Sequence, residues 1–441
     1  MNDGNGAARK KALLAGAIGN FVEWYDAVLY GLFATTIATV FFPKSSSATA
    51  LLSTFAIFGV AYAARPLGGL VFGHLGDRFG RRFALMLSVM LMSAGTVILG
   101  LLPSYAQVGI AAPVLLLLCR LVQGFSTGGE YTGSTVFVVE HAPRDQRGRY
   151  ASIIPSVSYI PSVVGVLVAE VMTSTTTPEQ LTAWGWRVPF LAAAPLALVG
   201  LYLRRQAGES PEFEALRNSG KISTAPVKEA LKVATKPIMI FIGWGIAYGV
   251  AATFFSTFLL SYLTVTVRFT KAESLVVQLV WAVVVVVACL LAGYAIDRVG
   301  RKPVAVASAL ALGVWVIPTF VLLEHASVLG ASLMVAACAF LFGGVAATTS
   351  LAVVELFPAA VRSSASGLAY NICAVFTGST PILATWLVTR GFQLAPGFCL
   401  TGLCAVAAIV AAYGIGNRAR HIPAVEEIVT QTPTEHSQAV L

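Results

Sequence analysis

The feature that most constrains this chain is a series of apolar runs, each about as long as a bilayer is thick. A helix crosses the hydrocarbon core with ~20 consecutive apolar residues. Runs of that kind fall at 12–42, 50–73, 83–103, 110–139, 150–173, 187–205, 237–263, 273–294, 303–323, 326–355, 366–389 and 395–417. Of the 441 residues 57% are hydrophobic and 11% charged, where a soluble domain carries roughly 25% charged residues. Only a helical membrane protein accommodates that pattern, because each spanning helix satisfies its own backbone. The fold class expected is therefore all-α, with twelve transmembrane helices.

Charge placement orients the bundle. Loops on the N-terminal side hold 22 of the 29 Lys and Arg residues, and the opposite loops hold Lys44, Arg268, Lys271 and Arg390. Basic loops stay on the cytoplasmic side, so both termini are expected there, in the plasma (inner) membrane. The formal charge of +9 is then a property of those loops, and a nucleic-acid partner is not expected. Arg9, Lys10 and Lys11 precede an apolar run containing Glu23 and Asp26, with no small-residue cleavage pattern after it. The first helix is thus expected to remain in the mature protein. The six cysteines lie in apolar stretches without metal-ligand spacing; no metal site or disulfide framework is expected.

The polar stretch 206–236 divides the chain six plus six. It separates an N-terminal half, 1–205, from a C-terminal half, 237–417, with a polar tail at 418–441 expected to be disordered and cytoplasmic. Two motifs repeat across that divide. Gly73, Asp77, Arg78, Gly80, Arg81 and Arg82 fit G-x3-D-R-x-G-R-[RK], and so do Gly293, Asp297, Arg298, Gly300, Arg301 and Lys302, 220 positions later. Glu140 precedes Arg147 by seven residues, and Glu355 precedes Arg362 by seven, 215 positions on. Two motifs at nearly one offset indicate two six-helix pseudo-repeats. An aspartate among basic residues facing a Glu–Arg pair is stable in one packing of helices and broken in another, which suits a conformational switch. A merely topology-setting loop needs the charges but not the repeated Asp and Gly.

The loop motif resembles the signature of the major facilitator superfamily. Further segments resemble its metabolite:proton symporter branch: Gly19 to Asp26, Arg65-Pro-Leu-Gly-Gly, Arg120 to Gly133, Gly185-Trp-Arg-Val-Pro-Phe190, Glu209-Ser-Pro-Glu-Phe213, and Glu355-Leu-Phe-Pro ahead of Arg362 and Asn371. Within that branch the likeness is strongest to osmoprotectant symporters of the proline and betaine type, particularly over 123–143 and 189–205. It implies the two-half fold of that superfamily and proton-driven import of a small organic solute by alternating access. Residues 418–441 lack the heptad pattern of the coiled-coil tail on some osmosensing members.

Ionisable groups inside the membrane cost ~2.5 kcal/mol or more each, so they face a cavity or one another. Glu23, Asp26 and Tyr30 share one face of the first span, with Asn20 beside them. At 1.5 Å per residue, Glu23 and Asp26 lie roughly 18–22 Å from the cytoplasmic end, and Arg65 and Glu130 roughly 14 Å. The expectation is one polar cluster of Glu23, Asp26, Arg65 and Glu130. Arg120 lies nearer the outer side, followed by Gln123. A carboxyl competing for one arginine in apolar surroundings can exchange a proton near neutral pH, so Asp26, Glu130 and Glu23 are the proton-coupling candidates. Arg65 and Arg120 are the groups to hold a substrate carboxylate, with Gln123, Tyr30, Tyr131 and Asn371 around them. Static ion pairs bracing the helices are the plainer alternative.

Spans seven to twelve have no charged residue in their interiors. Span seven offers Phe241, Trp244, Tyr248, Phe255, Phe258 and Tyr262; Trp244 and Tyr248 are the best placed to hold an ammonium group through their rings, against the commoner role of such residues in lipid-facing packing. A di- or tricarboxylate, 2-oxoglutarate or shikimate symporter is the second reading, since a dianion would want both arginines. A drug/proton antiporter is a third. No zinc-protease pair, nucleophile triad or cofactor loop is present, so an enzyme is not expected; nor is a cofactor beyond the proton gradient. The chain is expected to act as a monomer on a small solute and protons.

Overall fold

A computed structural model describes residues 2–416; the tail 418–441 lies outside the described residues. Eleven helices are long and apolar enough to cross a membrane, and one bent pair completes twelve spans among the described residues. In chain order they are α1 (Arg9–Leu32 with Ala34–Phe41), α2 (Thr49–Phe79), α3 (Arg81–Leu101), α4 (Ala111–Glu140), α5 (Arg144–Thr175), α6 (Pro178–Gln206), α7 (Thr235–Thr264), α8 (Ala272–Val299), α9 (Arg301–Leu323), α10 (Val328–Glu355), α11 (Ala359–Val388) and α12 (Ala395–Gly414). The run 12–42, read from sequence as one span, turns by 66° between Leu32 and Ala34. Large apolar side chains such as Val314, Leu329 and Leu198 stay exposed on the outside of the bundle, as lipid-facing residues do.

Small residues let the helices cross closely. A Cβ at Gly124 would come within 2.6 Å of the Ala61 carbonyl carbon, and one at Gly128 within 2.6 Å of the Gly69 nitrogen. The backbones of α2 and α4 therefore touch along about two turns of α2, from Ala61 to Gly69. Gly128 and Gly129 also interrupt α4 between Thr127 and Glu130. The interruption leaves the Gly128 carbonyl free to accept a hydrogen bond from Asn371 Nδ2 of α11 at 2.7 Å. That bond joins the first six spans to the last six at mid-depth.

The polar stretch after α6 is folded. Ser210 caps a short helix, Pro211–Asn218, by accepting from the Phe213 amide at 3.1 Å, with Pro211 at the first helical position where its missing N–H costs nothing. A second helix, Pro226–Val233, follows. Both lie at the end of the bundle that carries the two repeated loops, called here the motif end.

Candidate functional site: paired charges at mid-depth and a latch at the motif end

Away from the motif end, three carboxylates of the first six spans are buried, and each has its own arginine. Asp26 accepts from Arg120 Nη1 at 2.7 Å, Gln123 Nε2 at 2.8 Å and Thr96 Oγ1 at 2.9 Å. Arg120 in turn lies 3.7 Å above the Tyr30 ring, whose hydroxyl donates to the Thr54 carbonyl at 2.9 Å. Glu130 pairs with Arg204 and accepts from Ser88 Oγ at 2.6 Å and Ser134 Oγ at 2.8 Å. Glu23 faces only Arg65, at 3.6 Å, and its Oε2 has no hydrogen-bond partner. The Arg65 guanidinium sits 4.2 Å over the ring of Tyr62.

The single cluster expected of Glu23, Asp26, Arg65 and Glu130 is thus replaced by three separate pairs. Depth along a helix does not fix the direction a side chain points, and Arg204 supplies the charge that the sequence reading left out. Arg204, beside Arg205 at the end of the sixth apolar run, is among the 22 basic residues that the sequence assigns to the N-terminal-side loops. It is buried instead, reaching back to the Ala15 and Leu85 carbonyls as well as Glu130. This tie among α1, α3, α4 and α6 makes Glu130 a brace. Gly19 is required beside it, because a Cβ there would strike the Arg204 guanidinium.

Aromatic residues collect where the halves meet. Tyr131 of α4 stacks on Tyr370 of α11 with ring centroids 4.6 Å apart. The Tyr131 hydroxyl faces Tyr248 of α7, and Tyr248 stacks on Phe342 at 5.7 Å. Trp244 departs from the ammonium-binding role assigned to span seven: it is fully buried within the last six spans and donates to Thr349 Oγ1 at 2.7 Å. Phe255, Phe258 and Tyr262 are buried in the same core as Trp244, and Phe241 in a neighbouring one, so lipid-facing packing does not describe them either. Tyr370 is the exception, buried only in part.

At the motif end each repeated aspartate reaches across to the other half. Asp77 accepts from the Ser363 and Ser364 amides at 3.1 and 2.7 Å, where α11 begins its long helical run. Asp297 accepts from the Gly148 and Arg149 amides at 2.7 and 3.1 Å, at the equivalent start in α5. A carboxylate at exposed helix amides also meets the positive end of the helix dipole. The motif glycine makes this approach possible, since a Cβ at Gly73 would lie 2.8 Å from the Ser363 oxygen and the Ser364 Cα. Gly80 and Gly300 take φ of 115° and 98° at the turns that follow, a region that favours glycine.

Arginines complete the latch. Arg81 donates to Asp77 at 2.6 Å and to the Ala359 carbonyl at 2.8 Å, and lies 3.6 Å from Glu140. Arg362 donates to Glu140 at 2.6 Å. Arg301 pairs with Glu355. Arg78 and Arg298 do not join in, contrary to the expectation for the motif; they are exposed and lie over their neighbours Phe79 and Tyr294. The residue missing from the sequence reading is Glu212, on the helix Pro211–Asn218. It accepts from Arg147 at 2.6 Å and pairs with Arg362, so one carboxylate links the start of α5 to the start of α11. Burial raises its carboxyl, but Arg362 and Arg147 outweigh that and hold it down to about 2. Its neighbour Glu209 accepts from the Arg82 amide at 3.2 Å. Both acids stood in the quoted segment Glu209 to Phe213, where loop charges gave no sign of a partner.

A sequence profile of the Major Facilitator Superfamily matches residues 16–381. The chain is 36% identical over 401 residues to a proline/betaine transporter of Salmonella typhimurium, covering 87% of this chain and 79% of that one. It is also 36% identical over 398 residues to OusA, the glycine betaine/proline/ectoine/pipecolic acid transporter of Dickeya dadantii, with the same coverage. Among solved structures, the proton:xylose symporter XylE bound to 6-bromo-6-deoxy-D-glucose superposes with a TM-score of 0.79 at 19% identity, over 96% of this chain and 99% of that chain. With this match across the chain, the twelve-span bundle belongs to the Major Facilitator Superfamily.

Proposed function

We propose that this protein is a proton-coupled symporter that imports a small zwitterion of the proline or betaine type by alternating access. The carrying observation is the charge balance at mid-depth. Glu23 and Asp26 stand against Arg65 and Arg120, and Glu130 is held by Arg204, so the site has no net charge and matches a solute that has none. A dianion would need uncompensated arginines, and Arg65 and Arg120 each already face a carboxylate. The 36% identity to two transporters named for proline and betaine supports the same substrate class.

The protein sits in the plasma membrane with its motif end in the cytoplasm, where 21 of its 29 basic residues then lie once the buried Arg204 is set apart. On that orientation the latch closes the inner side, and the structure corresponds to an outward-facing or occluded stage of the cycle. The transporter works as a monomer, with the proton gradient as its energy source and no cofactor. Its substrate class is tested by uptake into proteoliposomes of glycine betaine, L-proline, 2-oxoglutarate, citrate and shikimate under an outside-acid gradient. Accumulation of glycine betaine and proline alone is expected. Accumulation of a carboxylic di- or trianion but of neither zwitterion overturns the assignment.

A further inference from the structure

One cavity belongs to neither the mid-depth pairs nor the latch. It holds about 370 Å³ at the end of the bundle opposite the motifs, between the bent half of α1, α2 and the start of α4. The 66° turn of α1 shapes it. Beyond that turn the segment Ala34–Phe41 packs on α2 and on the short helix Tyr105–Val108. Phe41 sets its ring edge-on against Trp186 of α6, with centroids 5.8 Å apart.

The two walls are apolar. Phe41, Phe42 and Ile57 form one of them. Ile110, Val114 and Leu117 form the other, and their i, i+4, i+7 spacing places them on a single face of the helix. That face runs ~10 Å along the axis of α4. It stands open to the side, since Ile110 is 72% and Val114 49% exposed. The polar lining groups, Lys44, Ser45 and Tyr105, come from the two loops at the mouth. Lys44 lies 5.5 Å over the Tyr105 ring, and no carboxylate lines the cavity to balance its charge. Tyrosine at a span's end marks headgroup depth.

We propose that this cavity is a phospholipid site of the outer leaflet: one acyl chain lies in the slot and the lipid phosphate sits against Lys44. A lone cation at headgroup depth above an apolar slot that opens sideways suits that amphiphile in both parts. A free anion would use Lys44 and leave the slot empty. The solute of the transport site is poorly matched, because its cationic end would lie beside Lys44 with no carboxylate to receive it. Ser45 offers the phosphate a hydroxyl donor. The chain packs against Phe41 and Phe42, so an occupied slot favours the bent form of α1, the helix that also carries Asp26 and Tyr30. The lipid therefore acts on transport through the position of α1 and makes no contact with the solute. The site requires only that the bundle span a bilayer, and it stands apart from the symport reading.

The test places the full-length protein in phosphatidylcholine vesicles containing a trace of phosphatidylglycerol with a photoreactive diazirine on one acyl chain. After irradiation, mass spectrometry of the digest is expected to find label on Phe41, Phe42 or the α4 face from Ile110 to Leu117. Lys44→Ala is expected to weaken labelling there about fivefold, the loss of one lysine at an anionic headgroup, and Lys44→Arg to restore it. Val114→Trp fills the slot and is expected to abolish labelling at this place while glycine betaine counterflow keeps its KM. Unlabelled phosphatidylglycerol is expected to compete better than diacylglycerol. Label spread evenly over the outward faces of the other helices, or undiminished at this slot in both Lys44→Ala and Val114→Trp, overturns the site. Equal competition by diacylglycerol overturns the role of the phosphate. Lys44→Ala changes an exposed loop residue, so its labelling decides the question even where Val114→Trp lowers the unfolding temperature.

Discussion

Replacing Glu212 by glutamine is expected to open the motif end. The carboxyl lies between Arg147 and Arg362, and their charges hold it down to about 2 against an ordinary value of 4.5 despite the opposing effect of burial. In an unlatched form the same side chain returns to water and to its ordinary value. That difference is worth about 3 kcal/mol in favour of the latched form, in line with the ~3–5 kcal/mol lost when one partner of a buried pair is removed. The stabilisation is complete above pH 4.5 and is lost as the pH falls toward 2, so at neutral pH Glu212→Gln forfeits all of it. A shift of about 300-fold in the latched-to-unlatched ratio follows. Spin labels on Arg78→Cys and Arg298→Cys, exposed on opposite halves, read the opening as a distance distribution by electron–electron resonance. A longer population is expected in Glu212→Gln at pH 7. An unchanged distribution in a folded Glu212→Gln protein refutes the latch.

Glu130→Gln strips the counter-charge from Arg204 and is expected to lower stability by ~3–5 kcal/mol in denaturant unfolding, with proton coupling retained in uptake; loss of coupling at full stability would make Glu130 the proton carrier instead. Gly73→Ala places a methyl 2.8 Å from the α11 backbone at Ser363 and Ser364, so α2 and α11 cannot close, and initial uptake rates are expected to fall at least tenfold without loss of membrane insertion. Trp244→Phe loses the bond to Thr349 and is expected to cost about 1 kcal/mol of stability while leaving the KM for glycine betaine unchanged; a large rise in KM would return Trp244 to the binding site.

The spans were legible in the sequence because bilayer thickness sets their length, whatever they pack against. The two glycine–aspartate loops were legible because one physical demand, a close backbone approach beside a helix start, arises twice. What the sequence did not carry was azimuth. Glu130 and Arg65 lie at similar depth, yet Glu130 turns toward α6 and Arg204. Arg204 itself hides at the end of an apolar run, where hydropathy cannot separate a buried arginine from one in the loop. Glu212 looked like an ordinary loop charge, since its partners lie 65 and 150 positions away. The aromatic residues of α7 follow helical spacing on either reading, and only the hydrogen bond to Thr349 shows that Trp244 belongs to the core of the second half.

The most direct measurement is of solute and proton together in the wild-type protein. Proteoliposomes loaded with a pH-sensitive dye, given glycine betaine outside and clamped at zero membrane potential, are expected to acidify internally as betaine enters, one proton for each molecule. Betaine entry with no acidification, or acidification that does not depend on betaine, would contradict proton-coupled import.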